Sequence, residues 1–323
     1  MTIATIPRTQ LGRTGLEISR IGFGAWAIGG GDWEFGWGPQ EDDASIATIH
    51  RALDLGINWI DTAAGYGSGH SERIVARALE GCGDRPLVFT KAGILRGPGG
   101  TAVRCLERDS ILREAHASLE RLRVDAIDLY QIHWPIPDED VEQAWSAFAE
   151  LREQGFVRHI GVSNFSVEQM RRAEQIAPVE TLQPPYSLIV RDAESETLPF
   201  CRREGIGVIV YSPMGSGMLT GRVTRERIDA LPAEDWRRRS DNFREPALSA
   251  NLALVERLKA VAERHDCSPG AAAVAWTLRN PAVDAAIVGF RDPAQLDPIM
   301  AGASVELTDA DVAELEAPRR DTP

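Results

Sequence analysis

The sequence predicts an α/β fold, a closed (β/α)8 TIM barrel. Three observations carry that expectation. Short β-branched apolar runs alternate about eight times with amphipathic stretches, a pattern that builds a parallel sheet. Eight such units in 323 residues match the size of a closed barrel. The competing architecture, an open doubly wound sheet, lacks its G-x-G-x-x-G fingerprint anywhere in the chain. No Pro/Ser-rich linker or low-complexity segment divides the repeats. Residues 1–323 are therefore expected to form one barrel domain with long loops at the C-terminal face.

The elements follow in order. "ISRIGFGAW" (18–26) reads as a strand, and "DASIATIHRALDLG" (43–56) as a helix stopped by glycine. "INWID" (57–61) is a strand and "SERIVARALEG" (71–81) a helix. "PLVFTKAG" (86–93) precedes the helix "RDSILREAHASLERL" (108–122), whose apolar residues recur at helical spacing. Strand 126–133, helix 141–155, strand 157–163 and helix 166–176 continue the alternation. So do strand 179–183, helix 194–205 and strand 206–212. A long polar segment (216–249) precedes two helices near 250–265 and 269–279. A last strand (285–289) and a short helix near 293–301 complete the series.

Composition narrows the function classes. A net charge of −13 disfavours nucleic acid and anionic membrane surfaces as partners, since both select basic patches. No apolar run approaches the roughly 18 residues of a spanning helix, and the N-terminus lacks a charged start followed by an apolar core. Cys82, Cys105, Cys201 and Cys267 are scattered without CxxC spacing, which reads as free thiols in a reducing compartment, the cytoplasm, with no metal site. Oligomeric state is not legible in the sequence.

In a barrel the reactive face lies at the C-terminal ends of the strands. There the chain places Asp61, Lys91, His133, Ser163-Asn164, Gln183, Tyr211-Ser212 and Gly289 with Arg291. Each alone has a plainer reading: a turn-forming aspartate, a snorkelling lysine, a core histidine, a packed loop tyrosine at Tyr66. Together, on neighbouring strands, they favour a site. A lysine in an apolar strand needs a carboxylate, and Asp61 is one strand away. Lys91 is expected to shift the Tyr66 phenol toward neutrality, since a nearby ammonium stabilises phenolate. His133 is placed to donate to a substrate oxygen. A carbonyl oxygen receiving a hydride is the group that would develop negative charge there. Ser163, Asn164 and Gln183 could bond a carboxamide, and Tyr211 could stack on a nicotinamide. The glycine-rich "SPMGSG" (212–217) lets backbone amides approach a pyrophosphate. Arg291, before the last helix, suits a phosphate.

These blocks resemble one family. "DTAAGYGSGHSE", "FTKAG", "LYQIHWP", "RHIGVSNFS" and "VIVYSPMGSGMLTGR" occur in order and are similar to motifs of the aldo-keto reductase superfamily, in its bacterial sugar- and aldehyde-reducing branches. The resemblance implies NADPH-dependent reduction of aldehydes or ketones, sugars among them, and the reverse oxidation of alcohols. It implies a catalytic tetrad of Asp61, Tyr66, Lys91 and His133, with Tyr66 as proton donor. Cofactor contacts are implied at Gly24, Trp26, Asp61, Ser163, Asn164, Gln183, Tyr211, Ser212, Pro213, Met214, Gly217, Leu219, Gly289, Arg291 and Gln295. Arg291 would meet the adenosine 2′-phosphate of NADP(H). Pro298 and Ile299 stand where many members carry a glutamate or asparagine, and Phe290 where small residues are common. NAD(H) is therefore an alternative cofactor.

Substrate contacts are expected from Trp26, Trp33, Tyr66, His133 and Trp134, with Trp37 as a further wall. The walls would come from segments 29–38, 94–106 and 216–249. The polar tail "EAPRRDTP" is expected to add little closure. The partner is a small-molecule carbonyl or alcohol. Two other classes fit the same barrel: a cofactor-binding regulatory subunit without significant turnover, and a Schiff-base lyase using Lys91.

Overall fold

A computed structural model describes residues 6–31, 33–232 and 235–317. Eight parallel strands close into a barrel. They are β1 (Ile21–Gly24), β2 (Trp59–Asp61), β3 (Leu87–Ala92), β4 (Ile127–Ile132), β5 (Val157–Ser163), β6 (Thr181–Gln183), β7 (Gly207–Tyr211) and β8 (Ala285–Gly289). Each strand pairs with its chain neighbours, and β8 closes on β1 through Ile287↔Gly22 and Gly289↔Gly24.

The period-two alternation of the strands sorts two cores. Ile60, Val88, Ile132, Ile160, Leu182, Val208 and Val288 face outward into the main apolar layer beneath the helices. Trp59, Phe89, Leu129, Ile209, Ala285 and Ile287 face inward and fill the barrel. The inward fit is tight enough to dictate a glycine. A Cβ on Gly22 would sit 2.2 Å from the Trp59 ring, so the missing side chain on β1 is the space the indole occupies. Above these apolar layers the inward positions turn polar: Asp61, Lys91, Gln131, Ser163 and Gln183, all buried. The strand registers bring them to one level, with Gly24 beside Asp61, Lys91 beside Gln131 and Gln183 beside Ser163.

The helices carry legible ends. Helix α1 (Asp42–Asp54) is followed by Gly56 at φ +92, and the helix Thr197–Glu204 is capped by left-handed Gly205. Ser166 and Gln169 form a reciprocal capping box on the helix Val167–Glu174.

Several expectations shift. The first strand is shorter than 18–26. Glu17–Ser19 pairs instead with Arg8–Gln10 as a hairpin, whose Leu11 and Ile18 join the inward core. Residues Ala25–Ile28 form a 3-10 turn. Segment 94–106 contains a second hairpin, Ile94–Arg96 with Ala102–Arg104. The helix expected near 293–301 is a chain of short turns, Pro293–Gln295, Asp297–Met300 and Ala301–Ala303. A helix at Asp309–Glu316 was not expected, although Thr308 and Asp311 spell a capping box. Most of the tail "EAPRRDTP" lies outside the described residues. Among the described residues no helix is long and apolar enough to cross a membrane. All four cysteines are free, and among the described residues no group of three His, Cys, Asp or Glu is placed to hold a metal.

Two acids are buried between α2 (His70–Leu79) and α3 (Arg108–Leu122). Glu72 accepts from Arg121 Nε at 2.5 Å and from Thr90 Oγ1 at 2.7 Å. Glu114 accepts from Gly93 N at 3.0 Å. Burial raises its carboxyl from 4.5 to about 7, against the pull of its hydrogen bonds from Gly93 and Ser110. A folded acid raised above its unfolded value favours the fold at low pH, and that advantage is lost as pH rises through the folded value. Glu114→Gln should therefore stabilise the protein above pH 7, by on the order of 1–3 kcal/mol. The gain should shrink toward zero near pH 4.5. Urea unfolding of both proteins across that range checks the sign.

Candidate active site

Strand β2 ends in Asp61, and the turn that follows is fixed at several points. Thr62 N donates to Phe89 O at 2.8 Å and Ser71 N to Tyr66 O at 3.3 Å. Ser71 Oγ ties the start of α2 to Ala25 O at 2.9 Å. Gly67 adopts φ +58, and a Cβ there would lie 1.9 Å from Gly29 O, so the turn can approach the end of the Ala25–Ile28 turn only with glycine. This folding carries Tyr66 back over the end of Lys91.

Lys91 makes three hydrogen bonds, the number an ammonium can donate. Its Nζ reaches Asp61 Oδ2 at 2.5 Å, Thr62 O at 3.0 Å and Tyr66 Oη at 3.3 Å. Lys91 is 1% exposed, Asp61 2% and Tyr66 8%, so the ion pair is shielded from solvent screening. Asp61 Oδ1 accepts from Gln183 Nε2 at 2.9 Å, and the same amide reaches Gln131 Oε1 at 3.3 Å. Edge-on to the Tyr66 ring stands His133, 5.6 Å between ring centres. Its Nδ1 is buried without a hydrogen-bond partner.

The electrostatics differ from the expectation at Tyr66. Burial, reinforced by Asp61, pushes the phenol well above its ordinary value rather than toward neutrality. The lysine does not outweigh those effects because its charge is already shared with the carboxylate. Burial draws the Lys91 ammonium down from its ordinary range, and Asp61 opposes that draw. His133 is held well below its usual value by burial, then by Lys91 and Arg104. The site at rest thus holds a protonated phenol, an ion-paired lysine and a neutral imidazole.

Three strand-end residues expected to bond a carboxamide are also tied to one another. Asn164, at φ +63, donates to His133 O at 2.9 Å and accepts from Tyr211 Oη at 2.9 Å. Ser163 Oγ donates to Gln183 O at 2.9 Å. The amide-bearing rim is therefore rigid, a suitable floor for a flat ring.

Beside it opens a cavity of about 230 Å³ lined by Trp26, Tyr211, Ser212, Gly215, Ser216 and Trp236 among others. Ser212, Gly215, Ser216 and Gly217 all have positive φ, between +55 and +95, and the loop turns on itself as Gly215 N donates to Ser212 O at 2.9 Å and Gly217 N to Met214 O at 3.2 Å. The space beyond a Cβ on Gly217 is open. These residues fit a dinucleotide. Two of the expected contacts do not present side chains to it: Pro213 and Leu219 are buried in the packing beneath the loop. A larger hollow of about 420 Å³ lies by Leu198, Arg202 and Asn280, and no tetrad residue lines it.

Arg291 corrects another expectation. The segment after it is a 3-10 turn rather than a helix, and its Ala294 amide is already capped by Asp292. The guanidinium instead grips the 37–40 loop, donating to Trp37 O at 2.9 Å, Gln40 Oε1 at 2.8 Å and Pro39 O. Gln295 accepts from Arg291 N at 2.9 Å. Gly289 is exposed at the rim, while Gly24 is buried against Ile287.

Indoles wall the mouth. Trp26 stacks on Trp236 at 5.4 Å and meets Trp37 edge-on at 5.3 Å. Trp33 lies 6.1 Å from the Tyr66 ring. Trp134 carries the Arg104 guanidinium 5.4 Å above its ring. Sequence reading missed Gln131, Gln40, Arg104 and Trp236. Of these, Gln131 left a signal: it shares the inward alternation of "LYQIH" with Leu129.

Comparison with known proteins agrees with this geometry. The sequence model of the aldo/keto reductase family matches residues 20–319. The chain is 39% identical over 292 residues to aldo-keto reductase YhdN of Bacillus subtilis, covering 90% of this chain and 86% of that protein. It is 34% identical to the NADH-specific methylglyoxal reductase of Escherichia coli, over 93% of this chain and 94% of that one. Among solved structures, the glycerol dehydrogenase AKR11B4 from Gluconobacter oxydans superposes with a TM-score of 0.87 at 35% identity, covering 100% of this chain and 98% of that chain. The chain therefore belongs to the aldo/keto reductase family, oxidoreductases that work with NADP(H) or NAD(H).

Proposed function

We propose that this protein reduces aldehydes or ketones to alcohols, and runs the reverse oxidation, as a single cytoplasmic barrel domain with Tyr66 as the proton donor. The observation that carries the reading is the Lys91 ammonium, hydrogen-bonded at once to Asp61 and to the Tyr66 hydroxyl at the foot of an indole-walled cleft. A reduced nicotinamide, when bound, supplies the hydride.

The chain's own residues then manage one proton. A phenol held above its ordinary value does not release its proton to water. It gives it up when a carbonyl oxygen beside it gains negative charge, because the oxygen's proton affinity then exceeds its own. Lys91 lowers the cost of the phenolate left behind, and Asp61 keeps the ammonium in place. Neutral His133 has one N–H to direct at the same oxygen, which orients the carbonyl and favours its developing charge. Gln183 and Gln131 fix the carboxylate from beneath. Trp26, Trp33 and Trp37 offer flat apolar surface to the rest of the substrate and exclude water.

NADP(H) and NAD(H) both fit this reading, and Arg291 is the residue placed to decide between them. To meet a 2′-phosphate, its guanidinium must exchange the carbonyls of the 37–40 loop for the anion, a trade that a charge-assisted, forked contact favours.

Three expected outcomes test the reading. Tyr66→Phe should lower carbonyl reduction by about 100- to 10,000-fold, while the variant still quenches with reduced cofactor in a fluorescence titration. Turnover near wild type would remove the acid role. Lys91→Met should abolish turnover and, by leaving a buried carboxylate without its cation, cost about 3–5 kcal/mol in urea unfolding. Arg291→Ala should weaken NADPH at least tenfold more than NADH in the same titration, and equal losses would refute the phosphate assignment. Cofactor binding without turnover on a broad panel of carbonyls would favour a regulatory subunit instead.

A further inference from the structure

Arg104 stands apart from the other arginines of the mouth. Arg291 is held by backbone carbonyls, Arg237 is forked onto Asp235, and Arg239 donates to Glu34 O. The Arg104 side chain makes neither a hydrogen bond nor an ion pair among the described residues. The residue is exposed, and its guanidinium lies over the face of Trp134. Glu34, which reaches the same hairpin, accepts from the Ala102 amide at 3.1 Å.

Its position is set by the residues that do the chemistry. Arg104 ends the second strand of the 94–104 hairpin and pairs in register with Ile94, three residues beyond Lys91. Ile94 packs on the turn beside Tyr66, where a Cβ on Gly65 would lie 3.2 Å from its side chain. On the other side Trp134 follows His133 directly in the chain. The cation is thus bracketed by neighbours of three tetrad residues. Its charge is felt at His133, whose proton affinity falls by burial, by Lys91 and by Arg104.

We infer that Arg104 is a specificity-determining residue, selecting carbonyl substrates that carry an anionic group, a carboxylate or a phosphate, a few bonds from the reacting carbon. The inference rests on the reductase reading. In a chain of net charge −13, an unpaired cation at the mouth is the feature that would draw such a substrate in and turn its carbonyl toward Tyr66. The Trp134 face takes the guanidinium by a cation–π contact, and its planar fork of N–H donors suits a carboxylate or phosphate.

The test compares matched pairs in steady-state reduction: terephthalaldehydic acid with its methyl ester, and glyceraldehyde phosphate with glyceraldehyde. The wild type should prefer an anionic member by on the order of tenfold in kcat/KM, and the preference should fade with added salt. The first pair reads a carboxylate partner and the second a phosphate. Arg104→Gln should bring the ratio near one, and Arg104→Glu should invert it, with circular dichroism confirming that both variants fold. A wild-type ratio near one in both pairs, or a preference that survives in Arg104→Glu, overturns the inference and leaves the reductase reading intact. No reduction of any member with either cofactor overturns both.

Discussion

One buried ion pair organises the site. Lys91 and Asp61 lie on adjacent strands, almost wholly shielded from water, and neither is tolerable there alone. Their 2.5 Å contact fixes an ammonium at the level where the barrel interior changes from apolar to polar. Everything catalytic is referred to that point. The Tyr66 hydroxyl leans on it, Thr62 O completes its donor set, and Gln183 holds the far carboxylate oxygen. The glycines of the surrounding chain follow from the same constraint. Gly67 lets the Tyr66 turn pass close to Gly29, and Gly22 makes room for the indole beneath.

The resting electrostatics describe a proton store. Burial keeps the phenol protonated and the imidazole neutral. Such a site acts when charge develops in it and stays inert otherwise, which is the property wanted of an acid beside a reactive hydride. In the proposed reaction the lysine would do its part late, once the proton has gone, rather than by acidifying the free phenol. Membership of the aldo/keto reductase family agrees with the chemistry proposed for this cluster.

Much of this was legible in the residues. The alternation of apolar runs and amphipathic stretches gave eight strands in order, and the polar residues ending them marked the reactive rim. Asp61 and Lys91 were linked by the bare argument that a buried lysine needs an acid. What escaped was non-local or short. The hairpin Arg8–Gln10 with Glu17–Ser19 spans too few residues for a periodic signal, and the place of its Leu11 and Ile18 in the inward core depends on the closed barrel. Arg291 turned to loop carbonyls because the 37–40 segment folds back on it, a contact separated by some 250 positions. Phenol acidity was misjudged because spacing reveals a neighbour's charge but not the depth of burial.

The indole wall joins residues from distant parts of the sequence. Trp26 follows β1, Trp37 lies in the next loop, and Trp236 arrives from the long segment between β7 and β8. A ribosome that has released only the first two hundred residues has delivered all four tetrad side chains, but neither Trp236 nor the two strands, β7 and β8, that close the barrel. Competence must then emerge near the close of synthesis, when the last strand meets the first.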